Sequence, residues 1–242
     1  MHLVVKTDLK SSPSVVLVII RLGMGDAAAA YEGEIYGGCS CTLAQADVEK
    51  NTNKFFMLRL VKHKKKYRVL SRSGRVGATG SQWKEEANFS SGKRAVARFS
   101  SIFNEKTGND WYDPEKWVPK ANKFTFLETV PEEGPFGLLL LNPDSIGGLN
   151  FDPREMPLGR LSKNQILLGL KALFAVEMAY QTKASDELKM KAMSLFYTRY
   201  PCNVGGNRKK LLLLGRPAVA ELREALSLTL RMLWKAIINK SD

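Results

Sequence analysis

Between residues 59 and 75 the chain carries Arg59, Lys62, Lys64, Lys65, Lys66, Arg68, Arg72 and Arg75, and no acid. Eight cations in seventeen residues can contact successive phosphates of a polyanion and release its condensed counterions. The same lysines could instead solvate a hairpin and keep its edge from pairing with other chains. Their density is high for that job, and nucleic-acid contact is the stronger reading. Tyr67, Trp83, Trp111, Tyr112 and Trp117 add faces on which a base or sugar could stack. Taken singly, each is more often a core or half-buried residue, and composition does not select a stacking one.

Catalytic constellations are weak. His63 sits inside the lysine run, a normal place for an exposed turn residue and a poor one for a poised base. The neighbouring acids Glu85-Glu86 and Glu132-Glu133 read as solvated loop. Gly74-Arg75-Val76-Gly77 lacks the spacing of a nucleotide-phosphate loop. Cys39, Cys41 and Cys202, with only His2 and His63 beside them, cannot be written as a zinc site or a secreted disulfide framework. A reducing compartment fits them. The expectation is a binding protein with no catalytic residue, no metal and no cofactor of its own.

The 242 residues hold 37 Lys+Arg against 24 Asp+Glu, a net charge of +13. The charge is +1 over residues 1–30, +7 over 31–130, −3 over 131–150 and +8 over 151–242. Two basic blocks with an acidic seam point to a polyanion partner rather than to a basic tail on a neutral body. The best apolar run, Val15-Val16-Leu17-Val18-Ile19-Ile20, ends at Arg21, far short of the roughly 20 residues of a membrane span. No membrane partner is expected. A signal peptide drawn through Lys6, Lys10, that run and the alanines at 27–30 is broken by the same arginine.

Several elements would position these residues. Residues 1–30 form a leader, either an edge strand or a poorly ordered segment. Residues 55–61 and 67–71 read as paired strands around a polar turn at 62–66, with turn chemistry at Ser73-Gly74 and at 77–80. A helix capped by Ser90 or Ser91 places Ala95, Val96, Phe99, Ile102 and Phe103 on one face and stops at Gly108. A last strand spans 124–130. Residues 131–155, rich in glycine and proline, read as a linker. They contain the apolar run 138–141, which is either a packed turn or a partner contact. Ser162 and Gln165 form a capping box with Leu161 and Ile166 as its staple. Leu167, Leu170, Leu173 and Phe174 follow as a buried face. A second helix covers about 185–198. A third starts near Pro217 and carries Val219, Leu222, Leu226, Leu230, Leu233 and Ile237. The fold class is α+β, an antiparallel sheet with one packed helix over 31–130, then a small all-α bundle over 156–242.

Arg72-Ser73-Gly74-Arg75-Val76-Gly77-Ala78-Thr79-Gly80 resembles the signature of the WGR domain, as do Asn51-Thr52-Asn53-Lys54-Phe55-Phe56 before it and Phe103-Asn104-Glu105-Lys106-Thr107-Gly108-Asn109-Asp110-Trp111 after it. Met156-Pro157-Leu158-Gly159-Arg160-Leu161-Ser162-Lys163 and Phe196-Tyr197-Thr198-Arg199-Tyr200-Pro201 resemble motifs of the helical regulatory domain of poly(ADP-ribose) polymerases. The order is also the family's own. The resemblance covers about residues 31–240.

That resemblance implies a nuclear protein that binds DNA at strand breaks and relays the contact to regulatory helices, which restrain a catalytic ADP-ribosyltransferase domain using NAD. It implies that Arg75 links DNA contact to the helical domain and that Asn53 and Lys54 lie near the 5′ end of a break. It places Phe124 where short members carry a tyrosine at that end. With the cationic run, the expected DNA-contacting set is Asn53, Lys54, Lys64, Lys65, Lys66, Arg68, Arg72, Arg75 and Phe124. Ser73 stands where the family's tryptophan packs on the terminal sugar, a stacking surface worth about 1–3 kcal/mol. The regulatory helices look shortened before Met156. No transferase motif can be placed before Asp242, so this chain by itself is expected to transfer no ADP-ribose. Three readings remain open: the regulatory front of a polymerase, a stand-alone nucleic-acid-binding module, and general RNA or polyanion binding.

Overall fold

The computed structural model of the chain describes residues 17–20, 31–78, 81–129, 158, 161–202, 211 and 213–238. The linker at 131–155, most of the leader, Thr79, Gly80, Val130 and the side chains of Leu233 and Ile237 lie outside the described residues. Six strands form one sheet: β1 (Leu17–Ile20), β2 (Tyr31–Asp47), β3 (Thr52–His63), β4 (Lys66–Arg75), β5 (Trp83–Phe89) and β6 (Thr125–Leu127). They are ordered β1-β2-β3-β4-β5, with β6 pairing β2. Helix α1 (Gly92–Thr107) follows β5, and α2 (Lys163–Gln181), α3 (Asp186–Arg199) and α4 (Arg216–Ile238) follow β6. This is the expected α+β architecture, an antiparallel sheet with a packed helix and then a small helical bundle.

The chain packs as two compact units, and the boundary runs through the sheet. One holds the described residues of Met1–Cys41, Met57–Arg72 and Ser81–Lys123. The other holds those of Thr42–Phe56, Ser73–Gly80 and Phe124–Asp242.

In the first unit, β3 is the strand whose apolar run was legible. Met57, Leu58, Leu60 and Val61 are buried from it, with Val69 and Leu70 from β4. Burying each such side chain contributes about 1.5–3 kcal/mol. The strand β4 continues through Ser73 and Gly74, where a turn was expected; the chain turns instead at Val76-Gly77, where Gly77 has φ 79°. Two strands had no apolar signal. In β2, Gly37 and Gly38 take φ 59° and 66°, a conformation open to glycine, inside what the sequence punctuates as loop. A Cβ on Gly33 would lie 2.5 Å from the Lys62 carbonyl oxygen, so β2 approaches β3 as only glycine allows. In β5, Trp-Lys-Glu-Glu-Ala-Asn-Phe is mostly polar and pairs β4 alone, with Tyr67 opposite Phe89 and Arg72 opposite Trp83 and a bulge at Val69/Leu70.

Helix α1 buries Ala95, Phe99, Ile102 and Phe103, while Val96 is half-buried. Ser91 is its N-cap but makes no side-chain cap bond. Gly108 ends it in the left-handed region at φ 72°. Beyond, Lys123 Nζ donates to the Glu105 carbonyl at 2.9 Å and Lys120 Nζ to that of Gly108, supplying cations where the helix dipole is negative. Trp111 lies edge-on to Phe99 and Phe103 at 4.7 and 5.0 Å, and Trp117 lies 5.3 Å from Trp111. These two tryptophans belong to the packing under α1 rather than to a stacking platform. Tyr67 packs edge-on to Tyr36 at 4.8 Å. Tyr112, at 67% exposure, is the open aromatic of the group.

In the second unit, β6 pairs the end of β2, with Thr42 opposite Leu127 and Ala44 opposite Thr125. It is shorter than the expected 124–130, since Thr129 already bridges Leu161. The Ser162 hydroxyl caps α2 by accepting from the Gln165 amide at 3.0 Å, and Leu161 and Ile166 are both buried. The capping box itself does not close. The Gln165 carboxamide oxygen accepts from Glu128 N (3.1 Å) and its nitrogen donates to Arg199 O (2.8 Å), while Ser162 N donates to Glu128 O (2.9 Å). Gln165 thereby ties the end of β6 to the end of α3.

The face of α2 also differs from expectation. Ile166, Gly169, Ala172, Leu173 and Val176 are buried, whereas Leu167 and Phe174 are 39% and 55% exposed. Both faces of α2 are apolar, so periodicity alone did not select the buried one. A Cβ on Gly169 would sit 3.0 Å from Tyr200, and this close approach sets the choice. Ser185 caps α3 by accepting from Leu188 N at 3.4 Å, and Asp186 and Glu187 occupy its first turn. Leu173, Val176, Met193, Phe196, Tyr197, Val219, Leu222 and Leu226 form the core of α2, α3 and α4.

Two outcomes test this packing. Gln165→Ala and Gln165→Leu each strand the half-buried Glu128 N–H and Arg199 C=O, and each should lower stability by about 1–3 kcal/mol in denaturant unfolding. A loss below about 0.5 kcal/mol would contradict the bridge. The three cysteines are buried and unpaired as disulfides. Burial pushes the Cys39 thiol up to about 11 and that of Cys202 up to about 12, and raises Cys41 as well. The native chain at pH 8 should therefore resist alkylation at all three until it is unfolded. Rapid native labelling would contradict this burial.

Candidate nucleic-acid interface

The β3–β4 hairpin turns at Lys64-Lys65, with Lys64 in the left-handed region at φ 54°. Lys64, Lys65 and Lys66 are exposed there, a compact cationic tip. The arginines behind it are engaged within their own unit. Arg59 stacks over Trp83 at 4.9 Å. Arg68 pairs with Glu85 at 3.5 Å, and Arg72 Nε donates to the Ser81 hydroxyl at 2.9 Å. The acids of β5, read from sequence as solvated loop, face this run. The Ser71 hydroxyl donates to Glu86 at 2.6 Å and Lys84 pairs with Glu86 at 3.3 Å. Burial opposes ionisation of Glu86, but these hydrogen bonds and the charges of Lys84 and Arg98 hold its carboxyl below the usual range. Among the strand arginines it is Arg68 that a β5 acid, Glu85, offsets, while Lys64, Lys65 and Lys66 stand exposed in the turn.

A second group lies in the other unit. Lys54 and Ser73 are exposed. Phe124 is half-buried, its ring 6.1 Å from that of Phe56. Asn53, expected at a DNA end, is 1% exposed. Its side-chain amide donates to Cys202 O at 3.5 Å and its own carbonyl accepts from Val76 N at 2.9 Å. Strand alternation sends Lys54 outward and Asn53 inward, so the asparagine bonds within the interior in this structure.

Arg75 is half-buried. Its Nη1 donates to the Asn51 carbonyl at 2.8 Å and its Nη2 to the Asn51 side-chain oxygen at 2.9 Å. That same oxygen accepts from Leu211 N at 2.8 Å. Asn51 ends the β2–β3 turn at φ 51°, a backbone state that asparagine tolerates better than most residues. The turn is held further by Ala46 N donating to the Thr198 hydroxyl (3.0 Å) and Val48 N to that of Ser194 (2.9 Å). Sequence reasoning placed Asn51 at the head of a motif but gave it no role. The available signal was its turn chemistry beside Lys50.

Among the described residues no cluster of His, Cys, Asp and Glu could hold a metal ion, and no helix is long and apolar enough to cross a membrane. The arrangement offers cations and hydrogen-bond donors.

Comparison with known proteins gives this geometry relatives. Residues 39–117 match the WGR domain, and residues 144–232 match the poly(ADP-ribose) polymerase regulatory domain. The chain is 28% identical over 212 residues to a mouse protein named mono-ADP-ribosyltransferase PARP3, which covers 72% of this chain and 39% of the relative. It is 28% identical over 213 residues to poly [ADP-ribose] polymerase 2 of Arabidopsis thaliana, covering 72% and 33%. It is 28% identical over 201 residues to poly [ADP-ribose] polymerase 1 of Xenopus laevis, covering 72% and 20%. The matched stretch thus spans about two-fifths or less of these relatives. The chain thus carries a match to a WGR domain followed by one to the poly(ADP-ribose) polymerase regulatory domain, in the order the sequence motifs set.

Proposed function

We propose that this chain is a DNA-contacting regulatory module that senses strand breaks and passes the contact to a catalytic ADP-ribosyltransferase domain, using NAD, in the nucleus. The observation that carries the reading is Arg75, which lies in the match to the WGR domain and shares an acceptor on Asn51 with Leu211, within the match to the regulatory domain. A cation that reaches phosphate and also shares a bonded atom with the regulatory segment is suited to transmit occupancy. The lysine turn supplies the sequence-independent attraction, since lysine meets phosphate as a point charge. Lys54 and Phe124 complete the proposed DNA-end contacts. The charge distribution favours DNA or another polyanion over an acidic small molecule, because the exposed lysines gather at an open hairpin turn.

A nicked duplex, a sealed plasmid and a single-stranded RNA of equal length compete for the chain at one salt concentration. Preference for the nicked duplex supports break sensing. Equal affinity for all three would replace it with general polyanion binding.

Two variants refine the reading. Changing Lys64, Lys65 and Lys66 together to Ala removes three exposed cations, and the log–log salt slope of DNA binding should become shallower by about 2.7. An unchanged slope would make these lysines a solvated turn only. Ser73 is exposed on β4, so Ser73→Trp would present a flat face without disturbing the interior. It should tighten binding to duplex ends roughly tenfold or somewhat more and leave closed circular DNA nearly unchanged. Equal tightening on both would show that position 73 does not meet a DNA end.

A further inference from the structure

We propose that Asn51 is a positioning residue whose side-chain oxygen makes the state of Arg75 readable at the backbone of Leu211. The proposal deepens the DNA-contact reading, on which its physiological meaning rests, but its geometry stands apart from any ligand.

One oxygen atom carries the argument. Asn51 Oδ1 accepts from Arg75 Nη2 at 2.9 Å and from Leu211 N at 2.8 Å. The Asn51 main-chain oxygen accepts from Arg75 Nη1 at 2.8 Å. The guanidinium therefore grips Asn51 at two points, and the second point fixes the rotamer that aims Oδ1 at Leu211. Leu211 is 4% exposed, so its N–H has little access to water if that oxygen turns away. A buried donor without an acceptor costs much more than a typical hydrogen bond contributes. Asn51 itself sits at φ 51°, stabilised where most residues would be strained.

The chemistry sets the direction of coupling. A phosphate oxygen is a stronger acceptor for a guanidinium than a neutral carboxamide, because the bond is charge-assisted on both sides. An anion that draws Arg75 away releases the rotamer of Asn51 and weakens the Leu211 bond. By linkage, a stable Leu211–Asn51 bond disfavours that anion by the same factor. Lysine at position 75 could attract the anion but could not grip Asn51 at two points in a fixed fork.

The test is site-resolved amide hydrogen exchange at Leu211, read by NMR on the full chain without ligand. Asn51→Gly keeps the left-handed backbone accessible and removes the shared oxygen, and it should speed Leu211 exchange roughly fivefold to tenfold. Arg75→Ala should speed it comparably, although Arg75 makes no described bond to Leu211. The double variant should be no faster than Asn51→Gly, because both act through one atom. Asn51→Asp retains an acceptor and should restore protection. Unchanged Leu211 exchange in Arg75→Ala, or additive effects in the double variant, would overturn the proposal. A second arm adds a short nicked duplex at saturating concentration. If the duplex fails to bind, the DNA-contact reading falls while the ligand-free arm still decides the role of Asn51. If it binds and Leu211 exchange rises in the wild-type chain but not in Asn51→Gly, the coupling runs from Arg75 as proposed. If it binds and Leu211 is unmoved, the coupling to phosphate is refuted.

Discussion

The end of the β2–β3 hairpin must satisfy backbone donors that point away from its own ladder, and the helices supply the acceptors. Ala46 N and Val48 N are received by the hydroxyls of Thr198 and Ser194 on α3. An edge left open here would carry unpaired N–H groups. Because the acceptors are side chains of a helix, the hairpin end and the bundle fold as one compact unit. Asn51, Asn53 and Gln165 extend the same arrangement to Leu211, Cys202 and Arg199. All three are amide side chains, each able to donate and accept at once.

This constraint explains why, among the described residues, the division between the two units runs through the sheet. Sequence motifs mark where one homologous domain ends and the next begins. Contacts mark which residues share a core. The two need not coincide when a hairpin is long enough to serve different partners at its two ends. In β3, the segment that begins at Asn53 faces Cys202, whereas Leu58 and Leu60 lie in the other unit's core.

The legible parts of the fold were those with strong local signals. The run at 55–61 and the α1 face were read correctly because their apolar spacing is unambiguous, and Gly108 because a left-handed terminator is nearly always glycine or asparagine. The strands β2 and β5 were missed for opposite reasons. One is held by glycines that read as breakers, the other by pairing a neighbour with charged residues. The slip in the α2 face came from leucines on both sides of the helix, which only the close approach of Gly169 to Tyr200 resolves. In the candidate interface, the lysine turn was visible as bare composition. The engagement of Arg68 and Arg72 was not, because their partners Glu85 and Ser81 lie on or beside a strand that the sequence did not reveal. The inward turn of Asn53 is likewise invisible until the alternation along β3 is known.

The most direct measurement of the account is native-state hydrogen exchange of the Ala46 and Val48 amides across a series of low denaturant concentrations. If the hairpin end belongs to the helical unit, their opening free energies and denaturant slopes should merge with those of Leu173 in α2 and Phe196 in α3. Merging instead with Val69 and Leu70 of β4, or free exchange while the helices stay protected, would contradict it.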